Sequence, residues 1–359
     1  MRETRRQLLR WTGAGIAAAA CTPWRRALAA PDAERVLVVS CAGAADGTPT
    51  LSLIDAEALR VLVTLPAPGA MAFPATRWAF GRDIVWGGYL DKLAGFSLAT
   101  GGQAAAIETR SSQNPSEITP DGRFVLAAAR AANRILKVGA EPEGPGFGRV
   151  IESVDHYAGA SPGDLTMLAD GSYCFTPDRG GDTVSVFQVN PLRKLVTLPL
   201  ERRGDRPLEP AMATVSPRGE YLFVETARGS GGVLVIDVSN PLRPVEVRRF
   251  DQTDGLGMNP ATDEFTPDGR FNLIINRASA DLTIVDVDRL EIRGRVVLPE
   301  GSAPVTGTFA PEGTRFFVPL PGRDAVAVVN VPEFEVTQFI QVGARPLGIA
   351  YVETPVSLR

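Results

Sequence analysis

Short apolar runs alternate with polar turns along this chain, and no stretch between them carries a helical period of useful length. The segment from Pro260 to Leu298 shows the unit. A first strand is predicted to end near Phe265, and the β-branched and aromatic residues from Phe271 to Ile275 predict a second. After a loop at Asn276 to Ala280, Leu282-Thr283-Ile284-Val285-Asp286-Val287 alternates apolar and polar as a half-buried third strand, and Arg293 to Leu298 supplies a fourth. The third strand recurs as Leu51-Ser52-Leu53-Ile54-Asp55, Val184-Ser185-Val186-Phe187, Val233-Leu234-Val235-Ile236-Asp237-Val238 and Val326-Ala327-Val328-Val329-Asn330. The Asp or Asn that closes it predicts an Asx-type hydrogen bond into the following turn.

A turn phrase punctuates these units. Thr119-Pro120-Asp121-Gly122-Arg123-Phe124 returns as Thr266-Pro267-Asp268-Gly269-Arg270-Phe271, with looser copies at Leu168-Ala169-Asp170-Gly171, Ser216-Pro217-Arg218-Gly219 and Ala310-Pro311-Glu312-Gly313. Marked at 121, 170, 218, 268 and 312, the steps are 49, 48, 50 and 44 residues. Four strands repeated at that period predict the blades of a β-propeller. Second strands number seven, at 36–39, 84–86, 124–127, 173–175, 221–224, 271–275 and 315–318. The first of these lacks a first strand before it, while the segment from Gly343 to Val352 reads as a first strand with nothing after it. Pairing the two closes the ring and removes sheet edges. The expectation is an all-β, seven-bladed propeller of four-stranded blades, forming one domain over residues 30–359.

The Pro-Asp-Gly turns, the strands ending in Asp and the segment Val342-Gly343-Ala344-Arg345-Pro346 resemble the YVTN-type repeat family of seven-bladed propellers. Asn114-Pro115 and Asn259-Pro260 echo the last element. A more distant similarity runs to the haem d1 domain of cytochrome cd1 nitrite reductases and their assembly proteins, which normally have eight blades. The first resemblance implies an architecture; the second implies a tetrapyrrole ligand.

The amino terminus changes the picture of location. Thr4-Arg5-Arg6-Gln7-Leu8-Leu9-Arg10, a short Gly- and Ala-rich core and Ala27-Leu28-Ala29 together resemble a twin-arginine signal peptide over residues 1–29. The core is too short and too weakly apolar for a permanent membrane span. Lipidation at Cys21 is the rival reading. Removing residues 1–29 leaves 31 basic and 40 acidic residues, a formal charge of minus 9, so a periplasmic protein without nucleic-acid or membrane partners is expected, most simply a monomer. Cys41 and Cys174 fall two blades apart, too far for a disulfide, with Cys174 expected buried and Cys41 near a loop.

Candidate chemistry is sparse. The single histidine, His156, rules out a multi-histidine metal centre, and no Cys-x-x-Cys-His haem attachment site exists. No acyl-transfer triad or lactonase motif can be assembled, so catalysis is left open and unsupported. His156 lies in a connection between blades, as a surface residue of the channel mouth or an axial ligand oriented by Asp155 or Tyr157. Glu117 and Glu264 occupy matching places before their turns, where other blades carry Met71, Thr166, Thr214 and Thr308; Asp263 is adjacent. These acids either hold a cation such as calcium or pair with arginines of nearby loops, among them Arg130, Arg134, Arg277 and Arg323. Trp86 is either a binding aromatic at the mouth or a packing residue of its blade. The functional expectation is a non-catalytic binding or interaction scaffold working through the channel mouth on a protein or small molecule. The alternatives are a haem-type tetrapyrrole binding or assembly protein and, third, a lactonase-like hydrolase.

Overall fold

A computed structural model describes residues 35–43, 47–67, 73–74, 84–88, 92–97, 102–109, 116–227 and 232–353. The leader, Met71 and the Gln113 to Pro115 segment lie outside the described residues. Seven four-stranded antiparallel sheets form the blades of a closed propeller. Blade 1 takes its inner strand, Pro346–Glu353, from the carboxy-terminal side and its next three, Arg35–Cys41, Thr50–Asp55 and Arg60–Pro66, from the amino-terminal side. The joint is in register, with Val36 opposite Val352 and Val38 opposite Ala350. Blades 2 to 7 each run from an inner strand outward in chain order.

Apart from the Ala94 and Phe96 pair within blade 2, each apolar cluster bridges two neighbouring blades. Leu273, Ile275 and Ile284 of blade 6 meet Phe316, Val318 and Val329 of blade 7, and the opposite face of blade 7, with Phe317 and Val328, meets Leu37 and Val39 of blade 1. A sheet covered on both faces needs apolar residues in succession, not in alternation. That is why second strands such as Phe124–Ala129 read as continuous runs. The third strands depart from the half-buried expectation for the same reason: Asp281–Asp286 is buried throughout. Its polar members are tolerated because they are bonded, as when Asn276 Nδ2 donates to Thr283 Oγ1 at 2.8 Å. Only the outer strands, such as Glu291–Val297, alternate between exposure and burial.

The turn phrase works as its composition implies. Thr119 Oγ1 donates to Asp121 Oδ1 at 2.5 Å, Arg123 N–H reaches the same oxygen at 3.0 Å, and Gly122 takes the left-handed φ of 68°. Thr266, Asp268 and Gly269 repeat the arrangement at 2.6 Å, 3.0 Å and 70°. At the third-strand ends, Asp55 Oδ1 accepts from Glu57 and Ala58 N–H at 3.0 and 2.9 Å, the Asx role expected of that position. Cys41 and Cys174 are both buried and free. Burial raises both thiols, so neither is poised as a thiolate nucleophile. Among the described residues, no helix is long and apolar enough to cross a membrane.

Candidate functional site: an acidic central channel

The inner strands are stitched to one another by threonine hydroxyls. Thr214 Oγ1 donates to Asp263 O at 3.1 Å, Thr262 Oγ1 to Val305 O at 2.8 Å and Thr306 Oγ1 to Leu347 O at 2.9 Å. These bonds fix a cavity of about 240 Å³ inside the ring. Glu117 of blade 3, Asp164 of blade 4, and Asp263 and Glu264 of blade 6 line it, interleaved with Thr166, Thr214, Thr262 and Thr306. Lys, Arg and His are missing from the described lining. Glu117 and Glu264, matched by their place before the turn, therefore do face one cavity. Among the described residues, no group of three or more His, Cys, Asp or Glu side chains is arranged to hold a metal ion.

Burial sets the electrostatics of this wall. The Asp164 carboxyl is pushed up to about 7, chiefly by burial and further by the charges of Glu117 and Asp263, against the relief of N–H donors at Ala213 and Leu165. Asp263, 1% exposed, is pushed up to about 6 by burial, with Glu225, Asn272 and Thr214 lowering it. Glu225, also 1% exposed, lies behind Asp263 near the end of the second strand of blade 5, Tyr221–Thr226. Burial, then the Asp263 charge, raises it well above the usual carboxylate range. The two carboxyls interact, yet neither Glu225 oxygen nor Asp263 Oδ1 completes a well-formed hydrogen bond. They behave as a pair sharing one proton.

Sequence reasoning passed over Asp164 and Glu225. Asp164 stands four residues before its turn, matching Thr262 and Thr306, so the repeat alignment that matched Glu117 with Glu264 also marks it. Glu225 interrupts a run whose counterparts are Ala128, Pro177, Ile275 and Pro319. An acid at that place is the signal.

The other candidates sit elsewhere. His156 is no surface residue of the mouth: its side chain is 0% exposed, with Nε2 3.0 Å from Asp178 Oδ1 and Nδ1 accepting the Tyr157 N–H at 3.0 Å. Phe187 stands edge-on 5.4 Å away. Asp178 also accepts from Thr176 at 2.9 Å, Thr183 at 2.7 Å and Ser185 at 2.6 Å, while the Tyr157 hydroxyl bonds Thr183 at 2.8 Å. Asp178 therefore takes the orienting place expected of Asp155, which instead turns outward to Arg134 at 2.5 Å. Trp86 is 1% exposed and stacks edge-on against Phe147 at 5.9 Å, a packing residue. Of the loop arginines, Arg130 donates to Ser161 Oγ at 3.0 Å and Arg323 to Glu300 O at 2.7 Å.

Fold and site define a closed seven-bladed propeller with an acid-walled channel. No protein-family model matches the chain. Protein NirF of Stutzerimonas stutzeri is 24% identical over 211 residues, covering 56% of this chain and 51% of NirF, so the chain spans about half the length of that curated relative. Among solved structures, the periplasmic gluconolactonase PpgL of Pseudomonas aeruginosa has a TM-score of 0.71 at 19% identity, over 89% of this chain and 99% of PpgL. The hydrazine synthase of Kuenenia stuttgartiensis gives 0.64 at 14% identity, over 80% of this chain and 93% of that one. These structural likenesses establish the shared propeller fold and nothing narrower.

Proposed function

We propose that this protein is exported to the periplasm by its twin-arginine-type leader and acts there as a non-catalytic binding protein, one domain over residues 30–359, whose ligand enters the central channel. The observation that carries the reading is the built cavity: segments of blades 1 and 3 to 7, threonine seams, and carboxyls from blades 3, 4 and 6 line a space of about 240 Å³. Pockets for drug-sized ligands run from about 300 to 1,000 Å³, so the occupant is smaller than those or enters only in part. Native mass spectrometry of protein purified from the periplasm tests this. A retained small molecule, released on denaturation, is the expected result; binding of partners only at the outer faces of the blades would overturn it.

A second reading joins the similarity to NirF with the resemblance of the repeats to haem d1 domains and their assembly proteins, and makes this chain a tetrapyrrole-handling protein. His156 does not suit an axial role, because its ring would have to leave Asp178 and an apolar pocket. A Soret-region band in the purified protein that survives His156→Ala would favour tetrapyrrole binding by other residues. A gluconolactonase neighbour also keeps lactone hydrolysis testable by a direct activity screen, with the proton-sharing pair Glu225 and Asp263 as the acid-base groups to substitute.

A further inference from the structure

Two carboxyls from neighbouring blades meet away from solvent. Glu225 on the second strand of blade 5 and Asp263 on the inner strand of blade 6, Pro260–Phe265, are each 1% exposed, and neither Glu225 oxygen nor Asp263 Oδ1 has a further hydrogen-bond partner. The second Asp263 oxygen is filled by Asn272 Nδ2. Ionised carboxylates only accept, so a hydrogen bond across this contact needs a proton on one of the two. The backbone carbonyl of Asp263 takes the Thr214 hydroxyl at 3.1 Å, the seam between the inner strands of blades 5 and 6. One shared proton and one threonine thus fasten the same edge of the cavity wall.

We infer that the junction of blades 5 and 6 is a proton-operated latch: the proton held between Glu225 and Asp263 keeps the seam beside the cavity closed, and its release lets that seam open. The latch needs no ligand and does not rest on the channel-binding reading. The register partners of the pair are uncharged, Met212 and Val233 beside Glu225 and Ile274 beside Asp263. The further charge acting on both is Asp164 of blade 4, a third acid, while Glu117 and Glu264 line the same cavity. Burial holds Glu225 well above the usual carboxylate range and Asp263 up to about 6, so the closed junction keeps protons that hydrated carboxyls, with ordinary values of about 4, release. The closed form binds more protons than the open one, and rising pH therefore favours opening.

The test is hydrogen exchange of the full mature protein, read by mass spectrometry at pH 6 and pH 8 and corrected for intrinsic exchange. Peptides covering the inner strands Pro210–Val215 and Pro260–Phe265 report the latch, and those covering Thr308–Phe309 and Pro346–Glu353, at the Thr306 seam of blades 7 and 1, are the reference. Expected is a loss of protection of roughly tenfold or more in the first pair as pH rises, against little change in the reference pair. Glu225→Gln puts an amide donor where the proton stands, so its protection at pH 8 should match that of the wild type at pH 6. Asp263→Asn, which can still accept from Asn272 while donating to Glu225, is the second variant, with circular dichroism confirming the fold of both. Protection of the latch strands that ignores pH in the wild type, or that falls with pH equally in the wild type and a folded variant, would overturn the latch. A fall shared by the reference strands would also overturn it, because it would report opening of the whole ring and not of one junction.

Discussion

Two buried acids near the ends of second strands, Asp178 in blade 4 and Glu225 in blade 5, have opposite surroundings. Asp178 meets an imidazole and three hydroxyls, each within 3.0 Å. Glu225 meets only another carboxyl, Asp263, with which it shares a proton. The first cluster joins the blade 3 to blade 4 connection to its blade, its carboxylate filled by three hydroxyl donors with the His156 ring in close contact. The second pairs two buried acids that share one proton beside the cavity. That difference separates a histidine that looks functional in sequence but holds structure from acids that look ordinary and face the channel. Blade 6 carries its own version of the satisfied arrangement, with Asn276 Nδ2 donating to Asp281 Oδ1 and Thr283 Oγ1, both at 2.8 Å.

Removing Asp178 should have the largest effect. Asp178→Ala strands three hydroxyls and the His156 ring, and a loss of about 3 kcal/mol or more is expected in urea denaturation. A loss under about 1 kcal/mol would show that the cluster does not hold blade 4 together. Next comes the pH dependence of the channel. An acid raised on folding keeps its proton where the unfolded chain has released it, so stability falls as pH rises from about 4 towards the folded value, by about 1.4 kcal/mol per unit for one group. For Asp164 that window ends at about 7. Asp164→Asn should therefore gain on the wild type as pH climbs from 4 to 7, read as a growing difference in denaturation midpoint. Smaller effects belong to single hydroxyls: Thr183→Val and Ser185→Ala should each cost about 1 kcal/mol. Tyr157→Phe, which removes one bond to Thr183, should cost about 0.5 kcal/mol or slightly more.

Much of the fold was legible because it repeats. Asp121 and Gly122 fix one turn and Asp268 and Gly269 the same turn three blades later, and the unpaired strands at the two ends of the repeat required the closure seen between Arg35–Cys41 and Pro346–Glu353. The burial of third strands was misread, because Thr283 and Ser185 look like solvent-facing residues until their partners Asn276 and Asp178 are in place. The site was half legible. Glu117 and Glu264 could be matched by their distance from a turn, but Glu225 reaches Asp263 across a blade boundary that no spacing encodes. His156 attracted attention by being alone, and its partner Asp178 lies 22 positions away in the next blade.

The most direct measurement is the unfolding free energy of wild type and Glu225→Gln at pH 5 and pH 8. If Glu225, behind the channel wall, is kept neutral against its tendency to ionise, the amide, which bears no titrating proton, gains on the wild type as pH rises, with the gap between the proteins widening by about 1 kcal/mol or more. An equal gap at both pH values would mean that Glu225 ionises as freely in the folded protein as in the unfolded chain, and would contradict the reading of Glu225 and Asp263 as a buried pair sharing one proton.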